Sequence, residues 1–350
     1  MSCMSAFSVK FKNKSRTDVV GLDLGIMDTK AVRIKRTGDA FVLVAADLLP
    51  PLVPPQPDVS EIQQAICVLP KVLQGRYAAI SMNTLQTNIR LLAVPGGAEK
   101  IEQINFNEVM GISEGMDYRI GYEIIPSDSR AETTFLAAAM PQTQASWAAR
   151  LLPQGIPAPC SLQAGGVSAL NAMSRALMPH HSGEDGVLCV VASDETSGIV
   201  AFHKGILVLF RQCPIGSQTL ARKVQERFGI ETDMVSGVLD GGMIDASATI
   251  ATTLAPLIRQ FLLAREFLER KRMSRVEKIL VCGELMGVKH WLTLLGADMG
   301  GVRPELWNPF TTLSVASGVL PERIQGMETR FAGAVGAALA VLEGDRGLSH

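Results

Sequence analysis

One unit is spelled twice in this chain, and it constrains the fold more than any other feature. Residues 19–24 form an apolar run, a loop carrying Gly25 and Asp28 follows, and residues 30–36 read as a second strand; "TGD" at 37–39 makes a turn into a third strand at 41–46. Far downstream, 186–191 form another apolar strand, "ASDETSG" a polar turn, 199–203 a second strand, "KG" a tight turn and 206–211 a third. Two three-stranded meanders, each opened by a loop of Asp and hydroxyl residues, predict two related α/β halves. Between such halves a cleft is the natural place for a ligand.

Helical patterns fill the rest. Ser217 is expected to cap a helix in which Leu220, Val224 and Phe228 share one face and Gly229 closes the last turn. Residues 247–272 form a longer helical pattern around Pro256, 278–282 a strand delivered into a Gly turn, and 330–342 an Ala- and Gly-rich helix suited to close packing. The region 96–159 stands apart as a small inserted module, with one helix over "AEKIEQINFNEVMG", strands "YRIGYEII" and "ETTFLAAAM" joined by "PSDSR", and a second helix over "TQASWAARLL".

At 350 residues the chain exceeds the usual limit of a single core, and 47% apolar residues, 19% charged residues and a net charge of -1 describe a globular protein with no electrostatic footprint for nucleic acid. No apolar run is read as long enough to span a membrane, and the N-terminal residues 1–18 read as a basic, flexible extension of a cytoplasmic protein. The 6 cysteines have no paired spacing and read as reduced, structural thiols, while the 5 histidines show no zinc-ligand spacing.

These pieces, in this order, resemble the actin and Hsp70-like nucleotide-binding superfamily, and within it the PilM family of type IV pilus assembly proteins. "GLDLGIMDTKAVRI" is similar to that family's first phosphate motif, and "VCGELMGVKHWLTLLG" followed by "WNPF" to its adenosine motif. "ETRFAGAVGAAL" occupies the place of the helix that returns to the first domain. The resemblance implies an actin-like two-lobed α/β fold with duplicated ribonuclease H-like halves and a small inserted α/β subdomain. On it, residues 19–95, 160–184 and 311–350 form the first lobe, 96–159 the insert and 185–310 the second lobe.

For ATP and magnesium, the resemblance implies Asp23 as a metal ligand through water, Gly25, Thr29 and Lys30 beside the phosphates, Thr196 and Ser197 in the second phosphate motif, and Gly283 and Glu284 against the nucleoside. Three departures weigh against hydrolysis. Ile26, Met27 and Asp28 stand where the family has small hydroxyl residues; an uncompensated carboxylate about 4 Å from a phosphate charge costs on the order of 4 kcal/mol at an effective dielectric of about 20. Val191, Ala192 and Ser193 replace the Asp-apolar-Gly of the second motif, with Asp194 reaching it only by a register slip. Glu284 replaces a Gly and would crowd a ribose or adenine. The structural alternatives are Asp23 capping its turn, Lys30 as a surface strand lysine, and Thr196 and Ser197 as turn residues.

The function expected is therefore that of a non-catalytic or barely catalytic adaptor. By resemblance it binds the short cytoplasmic N-terminal segment of a PilN-like bitopic membrane protein and links an inner-membrane platform of a pilus or related secretion machine to its motor proteins, meeting the membrane only through that partner. The competing classes are an active Mg-ATP-binding ATPase of the same fold, a cytoskeletal protein like FtsA, and a sugar or acid kinase.

Overall fold

Both meanders are present in the computed structural model, which describes residues 16–56, 64–113, 115–127, 131–177, 186–242 and 244–344. The expected extension at 1–18 falls almost wholly outside the described residues, as do part of the "PSDSR" turn and the residues after 344. Two compact units emerge, Met1–Leu177 with Pro309–His350, and Met178–Asn308.

In chain order, the first unit opens with β1 (Asp18–Leu24), β2 (Thr29–Thr37), β3 (Ala40–Leu49) and β4 (Tyr77–Met82). It continues with β5 (Asn88–Pro95), α1 (Phe106–Met110), β6 (Tyr118–Ile125), β7 (Glu132–Pro141), α2 (Gln142–Ala148), β8 (Ala158–Ala164) and α3 (Gly165–Leu177). The second unit holds β9 (Gly186–Ala192), β10 (Ser197–His203), β11 (Ile206–Cys213), α4 (Ser217–Phe228), α5 (Val235–Leu239), α6 (Ser247–Lys271), β12 (Val276–Gly283), α7 (Trp291–Gly296) and β13 (Pro304–Leu306). The chain then returns to the first unit through β14 (Ser314–Val315) and α8 (Ala332–Gly344).

The sheet orders carry the duplication. The first sheet runs β14-β3-β2-β1-β4-β8 and the second β11-β10-β9-β12-β13. Leaving aside the short β14, each lays its antiparallel meander out from a central first strand and adds two parallel strands on the other side. The opening loops match as well: four residues, 25–28, join β1 to β2, and four, 193–196, join β9 to β10. Tight two-residue turns close both hairpins, with Gly38 at φ 61, and Lys204 and Gly205 at φ 50 and 74.

Packing in the first unit is set by small residues. Val20, Leu22 and Leu24 of β1 face a core that includes Ala31, Ile80, Trp147 and Leu151. The alternate residue Gly21 faces α8, where a Cβ would run into the Ala334 carbonyl, and Gly336 lies as closely on the Ser168 carbonyl of α3. This is why the returning helix is made of Ala and Gly.

In the second unit, Leu254, Leu257 and Phe261 of α6 share a core with Ile199, Val281 and Trp291. The expectation that no segment reaches spanning length is corrected here: α6, with 25 residues, is long and apolar enough to cross a membrane. Its inward stripe is spent on the sheet of its own unit.

The insert is a three-stranded sheet, β5-β7-β6, closed by Ile101, Met110 and Phe135, with Phe106 stacked on Tyr122 at 5.5 Å. Its first strand falls inside the segment 19–95 that the resemblance assigned to the lobe, because Asn88 to Pro95 pair with β7 and not with the six-stranded sheet. Conversely, Ala145, Trp147 and Ala148 of α2 pack into the lobe core. The single helix expected over "AEKIEQINFNEVMG" is a 3-10 segment, Ala98–Gln103, and the short α1, because Ile104 and Asn105 between them are extended. The cysteines at 67, 160, 189, 213 and 282 are buried and outside any disulfide, and burial pushes the Cys189 thiol far above its ordinary value.

Candidate functional site

In the first unit the chemistry collects where β1 ends. Asp23 lies across from Lys30 in the antiparallel pair and from Ser81 in the parallel pair, so all three project from the same face of the sheet. The Ser81 hydroxyl donates to Asp23 Oδ1 at 2.6 Å. Gly333, in the first turn of α8, lies so close that a Cβ there would collide with the Asp23 carboxylate.

Asp28, at the end of the loop, is clamped. Its carboxylate accepts Arg330 at 2.8 and 3.0 Å and pairs with Lys30 Nζ at 2.9 Å. Burial alone would raise its pKa; the charges of Lys30 and Arg330, with their hydrogen bonds, overcome that and hold the carboxyl below its ordinary value. The expectation of a surface lysine at position 30 is overturned, since Lys30 is 2% exposed. The reason is tertiary: α8 covers the face of the central strand toward which Lys30 points, so β2 is buried on both faces and shows no inside-outside alternation. Asp28 is likewise compensated, where the sequence left its charge open.

Thr29 is turned to the opposite face by the strand's alternation, and its buried hydroxyl has no hydrogen-bond partner among the described residues. Gly25 is buried and is not among the positive-φ glycines, so no left-handed turn requires a glycine there.

In the second unit the equivalent loop is spent on its own architecture. Counting back from each four-residue loop places Val191 at the position of Asp23, with Cys282 on the parallel neighbour where the first unit has Ser81. Asp194 is the second loop residue, so it does not slip onto the strand end. Its carboxylate accepts from the Ser217 hydroxyl at 3.0 Å, and its carbonyl accepts from the Gln218 N–H at 2.9 Å. Ser217 is therefore the first residue of α4 and not its cap; Gly216 takes the cap position because a Cβ there would strike the Ser193 and Asp194 carbonyls.

The Ser193 hydroxyl donates to the Thr196 carbonyl at 2.7 Å, and the Ser197 hydroxyl to the Ile215 carbonyl at 2.6 Å. Gly283, at φ 101, is demanded by the sheet: a Cβ would enter the Ala192 carbonyl, which also accepts the Glu284 N–H at 2.8 Å. Among the described residues no group of three His, Cys, Asp or Glu side chains could hold a metal ion.

Sequence reasoning missed Arg330, Ser81 and Gly333. Only Arg330 left a trace: a buried loop carboxylate demands a cation, and an Arg stands at the mouth of the Ala- and Gly-rich helix.

No family model matches the chain, and no curated protein matches it in sequence. Among solved structures, the PilM-PilN type IV pilus biogenesis complex matches at a TM-score of 0.73, covering 93% of this chain and 99% of that chain at 18% identity. The chain has the PilM fold. Looser likenesses include a Bacteroides thetaiotaomicron protein with actin-like ATPase fold and unknown function, at a TM-score of 0.46, 10% identity, 84% of this chain and 92% of that one. The ethanolamine utilization protein EutJ from Carboxydothermus hydrogenoformans follows at 0.44, 12% identity, 95% and 92%.

Proposed function

We propose that this chain is an actin-like adaptor of a type IV pilus or related secretion platform, binding the short cytoplasmic N-terminal segment of a PilN-like membrane protein. The observation that carries this reading is the extent of the PilM likeness, 93% of this chain and 99% of a chain solved in a PilM-PilN complex. Its place is the inner face of the membrane, held there by the partner and linked through it to motor proteins. The edge strands of the insert, β5 and β6, are the places in its sheet where an extended segment would add as a further strand.

The phosphate-handling positions do not fit a magnesium triphosphate held for hydrolysis. Val191 supplies no carboxylate, Asp194 and Ser197 serve the α4 entry, and Asp28 fills the first loop with its own negative charge. Asp23, Gly25, Thr29, Lys30, Thr196, Ser197, Gly283 and Glu284 are on this reading residues of a retained frame. The adaptor reading is tested by capture from a detergent extract of its own membranes, using the chain as bait. Recovery of a bitopic protein with a short N-terminal cytoplasmic tail, lost on trimming that tail, is the expected result. Recovery unaffected by the trimming would refute it.

A further inference from the structure

We propose that the ribbon leading into β4 is a membrane-contact surface: Ile66, Val68 and Val72, framed by Lys71, Arg76 and Arg150, seat the first unit directly on an anionic lipid bilayer. The inference goes beyond the adaptor reading and does not require a PilN-like partner.

Residues 66–73 alternate between core and solvent. Cys67, Leu69 and Leu73 enter the core that also holds Leu22 and Ile80, whereas Ile66, Val68 and Val72 are 64%, 78% and 62% exposed. Three large apolar side chains left wet within so short a stretch form a patch, and such patches mark interaction surfaces. The backbone that presents them is fixed. The Cys67 N–H donates to the Leu151 carbonyl at 2.7 Å, the Gln74 side chain to the Leu69 carbonyl at 3.1 Å, and Arg33 to the Val72 carbonyl at 3.3 Å.

The charge around the patch has one sign. Stretches 64–76 and 147–158 contain no Asp or Glu, and they expose Lys71, Arg76 and Arg150. The Cys67–Leu151 bond sets Arg150 beside the ribbon, and Arg76 precedes the first residue of β4. None of the three cations has an ion-pair partner among the described residues. Asp18, the acid at the start of β1, is committed to Arg33 at 2.6 and 2.8 Å. In sequence, the adjoining stretches outside the described residues add Lys10, Lys12 and Lys14 against Asp58 and Glu61, so cations outnumber acids on this side of the unit.

Shape then selects the occupant. A peptide partner docks into a groove or adds to a sheet edge, and residues 66–69 belong to no sheet. Side chains as exposed as these project from a convex ridge and line no groove. Projecting apolar tips beside unpaired cations suit a bilayer, where the tips enter the acyl boundary while the cations meet anionic headgroups.

The test sediments the full chain with vesicles of phosphatidylcholine, with and without phosphatidylglycerol. It is run beside Val68→Ser, Val72→Ser and the double variant Lys71→Glu, Arg76→Glu. Met273→Ser, which removes an apolar side chain 86% exposed in the second unit, is the control. All these positions are exposed, and thermal unfolding should match the intact chain. The intact chain should bind only the vesicles containing phosphatidylglycerol, less tightly as salt is added. Val68→Ser and Val72→Ser should each weaken binding by on the order of tenfold. The charge variant should lose the preference for phosphatidylglycerol, and Met273→Ser should bind as the intact chain does. No binding of the intact chain to anionic vesicles, or binding untouched by Val68→Ser and Val72→Ser, overturns the inference. It is overturned equally if vesicles are ignored and Val68→Ser instead abolishes self-association or capture of a protein, since the ridge is then a protein contact. The tail-trimming experiment reports separately on the adaptor reading.

Discussion

Asp28 shows how a residue's meaning depends on what the fold brings to it. In sequence it is an acid in a phosphate-type loop; in the structure it is the centre of an ion triad. Because the charges of Lys30 and Arg330 outweigh the burial that opposes ionisation, its folded pKa lies below the ordinary 3.8. The ionised form then favours the native state: its stabilisation is present in full above about pH 4 and drains away as pH falls through the depressed folded value. Asp28→Asn should accordingly be less stable than the intact chain near neutrality, with the gap narrowing as the medium is acidified below about pH 4. Urea midpoints taken at stepped pH check this, and a gap that stays constant into acid would contradict it.

Elements in this protein are shaped by how closely they must approach one another. Helix α8 has no polar face to speak of, and residues 332–342 along it are buried. Its contact with α3 is set by Gly336, whose missing Cβ makes room for the Ser168 carbonyl. At an exposed helix position Gly→Ala is stabilising by about 1 kcal/mol, since Ala is the better helix former. Here the sign should reverse. Gly336→Ala is expected to lower stability by about 2 kcal/mol, because a backbone carbonyl has to move to admit the methyl group. The urea midpoint against the parent chain reads the sign directly. Helix α6 makes the complementary point: length and apolarity alone would allow it to span a membrane, and only its packing against Ile199 and Val281 assigns it to a core.

At the level of the whole molecule, the two units differ in how they are threaded. The second is one continuous stretch with its own core from Leu188 to Met299, whereas the first is closed by a segment that returns after position 308. A chain ended at 308 keeps every strand of the second sheet and loses α8 and Arg330 from the first. Such a chain should retain a cooperative transition from the second unit while the first unit loses its own, leaving the α8-facing side of β1 and β2 bare. Hydrogen exchange by segment distinguishes the outcomes: protection lost in 18–49 and kept in 186–283 is expected, and uniform loss would show that the second unit does not stand on its contiguous core.

Sequence alone determined the repeated meander, its tight Gly turns and the helix ended by Gly229, because these depend on backbone freedom and on periodicities of two and 3.6 that neighbouring residues carry themselves. On the resemblance to the PilM family it also marked Val191 and Glu284, since an absent carboxylate or an added side chain is visible without coordinates. Tertiary structure decided the rest. Which sheet Asn88 to Pro95 would join, why Lys30 is buried, and which cations Asp28 would meet were settled by pairings between stretches up to 302 residues apart. Such contacts leave no local period to read, and their energy exists only once loop closure has brought the partners together.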